Sequence, residues 1–363
     1  MTAQPLRILA MGDLSPDSHT AMRTAVMQSE PDVDIRTVDI LHPGPLRVPP
    51  LVQSVAWRLR VPFDQYDTNR RLLEAVRTFR PHCVYMENVK TVRPETLRVI
   101  KNDYGALLVY MSPDYITAPH NSSLWLEKSF RLFDLFFNTK SYGIEKLRAH
   151  GIGKVKLIPN NFVPDLHRPM TRDEVGPEYE AFDLVFVGAY EVERARSIRR
   201  LAEAGMTVLV HGDSPSRTDA GWGSIAHPNI TLRPPAVLEE YPRAMHKGKI
   251  ALTFLRKLNI DQITNRSMEL PGMQRMMLAE KTVDHDLHFE DGREYVGFVD
   301  DADLIAKARQ YLADDAARLR IAAAGRERCW RSHYDIQSLV RDMLQEIRSA
   351  LAARTSAKLS RAS

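Results

Sequence analysis

Short apolar runs alternating with stretches of helical periodicity constrain this chain more than any other feature. In the first half, Leu6 to Met11, Val33 to Ile40, Cys83 to Met86, Ala106 to Met111, Asp134 to Asn138 and Val155 to Ile158 read as strands. Between them, Asn69 to Phe79, Pro94 to Asp103, Ser123 to Phe133 and Tyr142 to His150 read as helices. That alternation predicts βαβ units and a parallel sheet. Asn160 to Tyr179 is rich in Pro and charge, lacks sustained periodicity and reads as a linker. The pattern then resumes. Strands are expected at Asp183 to Val187, Thr207 to Val210, Ile230 to Leu232 and Ile250 to Leu255, and helices near Glu193 to Ala204, Leu238 to His246, Pro271 to Ala279 and Asp303 to Ala313. Two more helical segments follow, Ala316 to Trp330 and Ile336 to Ala352, and the basic, Ser-rich tail from Arg354 reads as disordered.

Composition excludes several classes. With 363 residues the chain is long enough for two domains with sizeable cores. Fifty Lys and Arg against 46 acidic residues leave a net charge of +4, too small to name nucleic acid as a partner. Cys83 and Cys329 are the only cysteines and lie far apart, which indicates neither a disulfide framework nor a zinc site. No apolar run reaches the roughly eighteen residues of a membrane span, and no signal-peptide pattern opens the chain. A cytoplasmic protein is the expectation.

The segment from Leu258 to Gly272 concentrates the chemistry. Asp261, Thr264, Arg266 and Glu269 follow the apolar run Ile250 to Leu255, and Pro271 then reads as opening a helix. A strand, a polar loop and a helix N-terminus in that order are where open α/β sheets hold phosphorylated ligands. Asp261 and Glu269 stand eight residues apart. Two ionised carboxylates accept hydrogen bonds from ribose or sugar hydroxyls. In a second reading, Glu269 only stabilises the helix start.

This segment resembles the donor-binding signature of GT-B glycosyltransferases, in particular the CgeB-like (spore-maturation protein-like) group. Thr264, Arg266, Glu269 and Pro271 match that group's Thr-x-Arg-x-x-Glu-x-Pro pattern, and Asp261 with Glu269 aligns with the wider E-x7-E signature. Two departures are plain. The first acid is the shorter Asp, and Gln274 stands where a glycine usually follows the second acid. The likeness continues through Phe182 to Gly188 with Arg194, through Met276 to Glu280, through Phe289 to Glu294, and to His333-Tyr334. It spans about Lys140 to Leu344. It implies two Rossmann-like α/β/α domains facing across a cleft: residues 1–165, a linker at 166–180, and a donor domain at 181–335. A C-terminal helix at 336–352 would pack back toward the first domain, with a disordered tail at 353–363. It further implies that Glu269 meets the nucleotide ribose and that Asp261 lies near the donor sugar or diphosphate. Gly188 would let the backbone approach the ligand, and Arg194 or Arg196 would pair with the diphosphate. Arg194, Arg196, Arg199 and Arg200 also read as one solvated helix face. His211-Gly212-Asp213 is a further turn that could touch the base, and Lys257 reads either as part of the positive field or as a solvated strand end. Glu294 reads as structural and His333 as a cap or an interdomain contact.

The first half is expected to hold the acceptor. Gly12-Asp13 follows the first strand, a single glycine turn rather than a dinucleotide fingerprint, and the resemblance brings Gly12 near the donor diphosphate. Asp13 and His19 are acceptor-side candidates, while Asp17, Ser18 and His19 also read as helix caps. Asp114, after Pro113 at the end of another apolar run, is a candidate base or a turn-forming residue, and Glu87-Asn88 and His120 are similar cases.

No metal motif appears, so neither metal nor cofactor is expected beyond the nucleotide diphosphate sugar as co-substrate. Arg58, Arg60, Arg70, Arg71 and the tail read either as a patch recruiting a polymeric acceptor or membrane surface, or as scattered charge. The expected activity is sugar transfer to an acceptor of unknown kind, with the acidic pair implying retention of configuration. The rival readings are a nucleotide-sugar epimerase on the same fold and a non-catalytic nucleotide-sugar-binding partner subunit.

Overall fold

The computed structural model describes residues 4–41, 48–212 and 221–362, with side chains to Ser356. Asp213 of the expected base-contacting turn lies outside them. The chain divides into two compact units: residues up to Pro159 together with those from Gln337 onward, and Asn160–Ile336.

In the first unit β1 (Leu6–Gly12), α1 (His19–Ser29), β2 (Val33–Asp39), α2 (Pro50–Arg58), α3 (Thr68–Phe79), β3 (Cys83–Glu87), α4 (Pro94–Asp103), β4 (Leu107–Ser112), α5 (Leu124–Ser129), β5 (Leu135–Asn138), α6 (Ile144–Ala149) and β6 (Val155–Leu157) follow in order. Every strand pair is parallel, in the order β2-β1-β3-β4-β5-β6. The residues of β3, β4 and β5 are all buried, as expected of a parallel sheet covered on both faces.

The second unit holds α7 (Arg172–Val175), β7 (Phe182–Val187), α8 (Val192–Glu203), β8 (Val208–His211), β9 (Ile230–Arg233), α9 (Glu240–Met245), β10 (Gly248–Thr253), α10 (Arg266–Gly272), β11 (Met276–Glu280), α11 (Val283–His288), β12 (Val296–Phe298), α12 (Asp301–Ala313) and α13 (Asp315–Arg331). Its sheet is also parallel, ordered β12-β11-β10-β7-β8-β9. Counted from β7 this is the doubly wound 3-2-1-4-5-6 order, whose chain reversal falls between β7 and β10. Alternation sorts each strand into two cores. Leu184, Phe186, Ile250, Leu252, Met276 and Leu278 pack on one face, while Val185, Val187, Ala251, Met277 and Ala279 pack on the other. Each such fully buried aliphatic side chain contributes about 1.5–3 kcal/mol.

Three sequence expectations differ from the structure. Pro271 does not open a helix; it lies inside α10, one residue before its end. The helix stops at Gly272 and Gln274 turns the chain with φ +57. The run Met276 to Ala279, read as helix, is β11 paired on both sides. A short apolar run carries no periodicity that separates a buried strand from a buried helix, and proline with a left-handed turn decides the break. β12 was not anticipated, being only three residues long. Finally, α14 (Ile336–Ala362) continues through the segment expected to be disordered. Ala and Leu sustain it, the Thr355 and Ser356 hydroxyls donate to carbonyls one turn back, and Arg354 donates to the Ala106 carbonyl. Glu346, on the same helix, pairs with Lys154 and Lys156.

Candidate active site

The residues singled out in the second unit gather at the carboxyl ends of its strands. A cavity of about 350 Å³ opens where β10, β11 and β12 end and α8 begins; Arg194, Lys257 and Asp261 are in its wall. Arg196 and Glu280 line it too. The first turn of α8 thus brings backbone amides and Arg194 to one place, beside the carboxylates of Glu191 and Glu193 in the same wall.

Arg194 is held almost out of solvent, with 11% of its side chain exposed. It donates to the Ala189 carbonyl at 3.2 Å and lies 3.5 Å from Glu191, yet its Nε is buried without a hydrogen-bond partner. Burial lowers its pKa; Glu191 opposes that, and the Arg266 and Arg256 charges add to it. Arg266, at the start of α10, likewise has a buried Nε without a partner. Its guanidinium lies 5.8 Å from the centre of the Tyr241 ring.

Glu269 is one turn further along α10 and is 6% exposed. Tyr241 and His167, both buried, are its neighbours. Burial and then the Glu269 carboxylate raise the Tyr241 pKa well above its ordinary value, while Arg266 opposes them. Burial pulls His167 down, against the attraction of Glu269. Asp261, half-buried, follows Ile260, which adopts φ +54. Thr264 donates its backbone N–H to Ser267 Oγ at 3.4 Å, and Ser267 in turn meets buried His285. Its place is structural as much as ligand-facing.

Around β7, Gly188 leaves no room for a side chain: a Cβ there would come within 2.7 Å of the Phe186 ring. The Trp222 indole donates to its carbonyl at 3.2 Å. His211 ends β8 with Nδ1 on the Pro234 carbonyl and a buried Nε2 that has no partner. Lys257 pairs with Glu280 at the cavity rim and is mostly exposed, the solvated strand end of its alternative reading. Arg199 and Arg200 are likewise engaged, with Glu203 and Asp301. Glu294 is buried, accepts from the Glu290 amide and pairs with Arg331, so it braces the loop before β12. His333, at φ +56, sits in the left-handed turn that ends α13.

The first-unit candidates also fall at strand carboxyl ends, in two clusters. Gly12 ends β1, where a Cβ would come within 2.6 Å of Thr20. Asp13 accepts from the Ser15 amide and hydroxyl, as a turn-forming Asp does, and Ser18 caps α1. His19 opens that helix within the electrostatic reach of Glu87. Glu87 is no free base: Arg23 and the Tyr85 hydroxyl both donate to its buried carboxylate. Burial raises its pKa but Arg23 outweighs that, and the net shift is downward. Asp114 lies at the end of β4, where Asn88 donates to it at 3.4 Å. Its own amide and carbonyl bond with the Ser112 hydroxyl, so it forms a turn while keeping a carboxylate beside Asn88.

Sequence reading missed Tyr241 and His167. Both are placed by packing across the unit, and no local motif marks them. Of the arginines that read either as a patch or as scattered charge, Arg60 pairs with Glu127, Arg70 with Asp67, and Arg71 donates to the Asp39 carbonyl. Among the described residues no group of three or more His, Cys, Asp or Glu is placed to hold a metal ion. Nor, among those residues, is any helix long and apolar enough to cross a membrane.

Comparison with known proteins agrees with this geometry. Residues 194–345 match the family model described as glycosyl transferase-like. The whole chain is similar in structure to Anabaena Alr3699/HepE in complex with UDP and glucose, with TM-score 0.67 at 10% identity, covering 95% of this chain and 100% of that one. It is also similar to the sucrose-phosphate synthase of Thermosynechococcus elongatus, with TM-score 0.64 at 13% identity, covering 96% and 99%. A UDP-N-acetylglucosamine 2-epimerase structure shares the fold with TM-score 0.58 at 13% identity, covering 95% and 96%. No curated protein sequence matches. By fold the chain is a GT-B protein. In sequence, residues 194–345 are similar to the glycosyl transferase-like family.

Proposed function

We propose that this protein transfers a sugar from a nucleoside diphosphate sugar, held by the second unit, to an acceptor hydroxyl held by the first. One observation carries the reading. Arg266 stands close enough to disfavour the charge on buried Arg194, and each of the two keeps a buried, unpartnered Nε. Two half-desolvated guanidiniums that repel each other are stabilised by an anion between them, and a diphosphate fits that need. The same pair offsets the charge that develops on the departing diphosphate, aided by the first turn of α8. Glu269 accepts from the ribose hydroxyls, and Asp261, in the cavity wall, meets the donor sugar or its diphosphate. Gly188 and Gly12 admit close backbone approach, His211 meets the base, and Asp114, Asp13 and His19 serve the acceptor. The Thr264-to-Pro271 pattern supports placement in the CgeB-like group, and the spacing of Asp261 and Glu269 supports retention.

The complexes of Alr3699/HepE with UDP and UDP-glucose make uridine nucleotides the first donors to try. UDP and UDP-glucose are expected to raise the melting temperature, and Glu269→Ala to abolish the shift. If neither nucleotide stabilises the protein, or the variant responds like wild type, the donor assignment is wrong. Nucleotide release that requires an added acceptor separates transferase from epimerase, the alternative the shared fold raises.

A further inference from the structure

The first unit contains a second cavity, of about 280 Å³, that no sequence motif marks. It sits beyond the ends of β2 and β3, walled by Ile40, Trp57, Phe63 and Tyr66, with Asn88 and Lys90 at its polar side. Three aromatic rings and an aliphatic side chain make a wall for a flat apolar body. The wall is braced from within: Gln53 on α2 donates to the Phe63 carbonyl and accepts from its amide, both at 3.1 Å. The polar side is unfinished. Asn88 holds a left-handed backbone at φ +53, its Nδ2 donates to Asp114, and its buried Oδ1 has no hydrogen-bond partner. Lys90 lies within the field of the same carboxylate, and burial nonetheless lowers its pKa.

We propose that this cavity binds the acceptor, and that the acceptor is a small aromatic molecule bearing a hydroxyl rather than a sugar chain. This rests on the transferase reading above and names the substrate class of its acceptor side. A glycan presents hydroxyls in every direction and needs polar partners on all walls. Here the lining surface is mostly apolar, and Gln53 and Gln65 among the rings are already engaged with the Phe63 and Val48 backbones. The volume lies at the small end of the roughly 300–1,000 Å³ usual for small-molecule sites, suited to one or two fused rings. The aromatic body stacks among Trp57, Phe63 and Tyr66, with its hydroxyl at Asn88 and Asp114. In the transfer, the hydroxyl oxygen forms a bond to the donor's anomeric carbon. The bond from that carbon to the diphosphate oxygen breaks on the same face, its electron pair leaving with the diphosphate, whose freed oxygen takes the hydroxyl proton while Asn88 and Asp114 hold the hydroxyl in place.

Calorimetric titration with 2-naphthol tests this on the full chain. One saturable site is expected, weakened at least fivefold by Trp57→Ala and by Phe63→Ala, while stabilisation by UDP stays as in wild type in both variants. The two side chains are partly exposed, so both variants should fold, and the UDP response reports that they have. Absence of saturable naphthol binding, binding by both variants as tight as by wild type, or preferential binding of maltotriose overturns the acceptor class. UDP failing to stabilise wild type while naphthol binds at this cavity overturns the donor reading and leaves the cavity assignment standing.

Discussion

Arg266 presents its guanidinium to Tyr241 at 5.8 Å from the ring centre, and Glu269, one helical turn along the same α10, borders that same ring. Tyr241 therefore meets both a cation and an anion that stand on one helix. Replacing Arg266 with Ala removes a charge-assisted contact of about 1.5–3 kcal/mol, or roughly 10- to 150-fold in Kd for UDP. Tyr241→Phe keeps the ring and should change that Kd less than threefold. An equal loss in the two variants, read by calorimetry, would mean that the tyrosine hydroxyl and not the arginine charge holds the nucleotide.

Acid should destabilise the second unit within a defined window. His246 and His285 are buried and neutral, each pushed down to about 4 chiefly by burial. His246 Nε2 accepts from the Met170 amide at 3.1 Å with Nδ1 on the Pro242 carbonyl, and His285 sits between Ser267 Oγ and the Glu280 carbonyl. The folded pKa of each lies below its unfolded value, so the unfolded chain takes up protons first. Their stability is present above about pH 6.5 and lost as pH falls toward 4, on the order of 3 kcal/mol per group. Melting temperatures between pH 4.5 and 7.5 should fall on the acid side, and His246→Gln should flatten the slope. A flat profile in wild type would contradict both assignments.

The Arg23–Glu87 pair under β1 and β3 is 2% exposed at each side chain. Removing one partner strands the other charge in the core. Arg23→Leu should cost about 3–5 kcal/mol of unfolding free energy in urea titration. The double change Arg23→Leu with Glu87→Leu should recover most of it. Additive losses in the double variant would show that the two side chains act independently and not as a coupled pair.

Gln274 occupies a left-handed turn at φ +57 with its side chain exposed. A residue with a Cβ is strained there by roughly 1–2 kcal/mol, partly offset by the smaller unfolded-state entropy it carries compared with glycine. Gln274→Gly should therefore raise stability by about 0.5–1 kcal/mol without altering nucleotide binding. A lower melting temperature would show that the glutamine side chain has a compensating contact.

The amino-acid pattern by itself determined a good deal. The alternation of apolar runs with helical stretches gave ten of the twelve strands and the two-sheet plan, because a covered parallel strand must be apolar throughout. Local spacing also marked Asp261, Arg266 and Glu269, and the family resemblance marked Arg194. It failed at Met276 to Ala279, where four apolar residues suit a buried helix and a buried strand equally, and only pairing with β10 and β12 decides. It failed at the tail, whose composition suggests disorder but whose first turns are anchored on Glu346 and Arg354. Tyr241, His167 and the aromatic cavity were likewise beyond it. Each lies far in sequence from the residues it serves, and only the parallel sheets, which bring strand ends together whatever their distance along the chain, set them side by side.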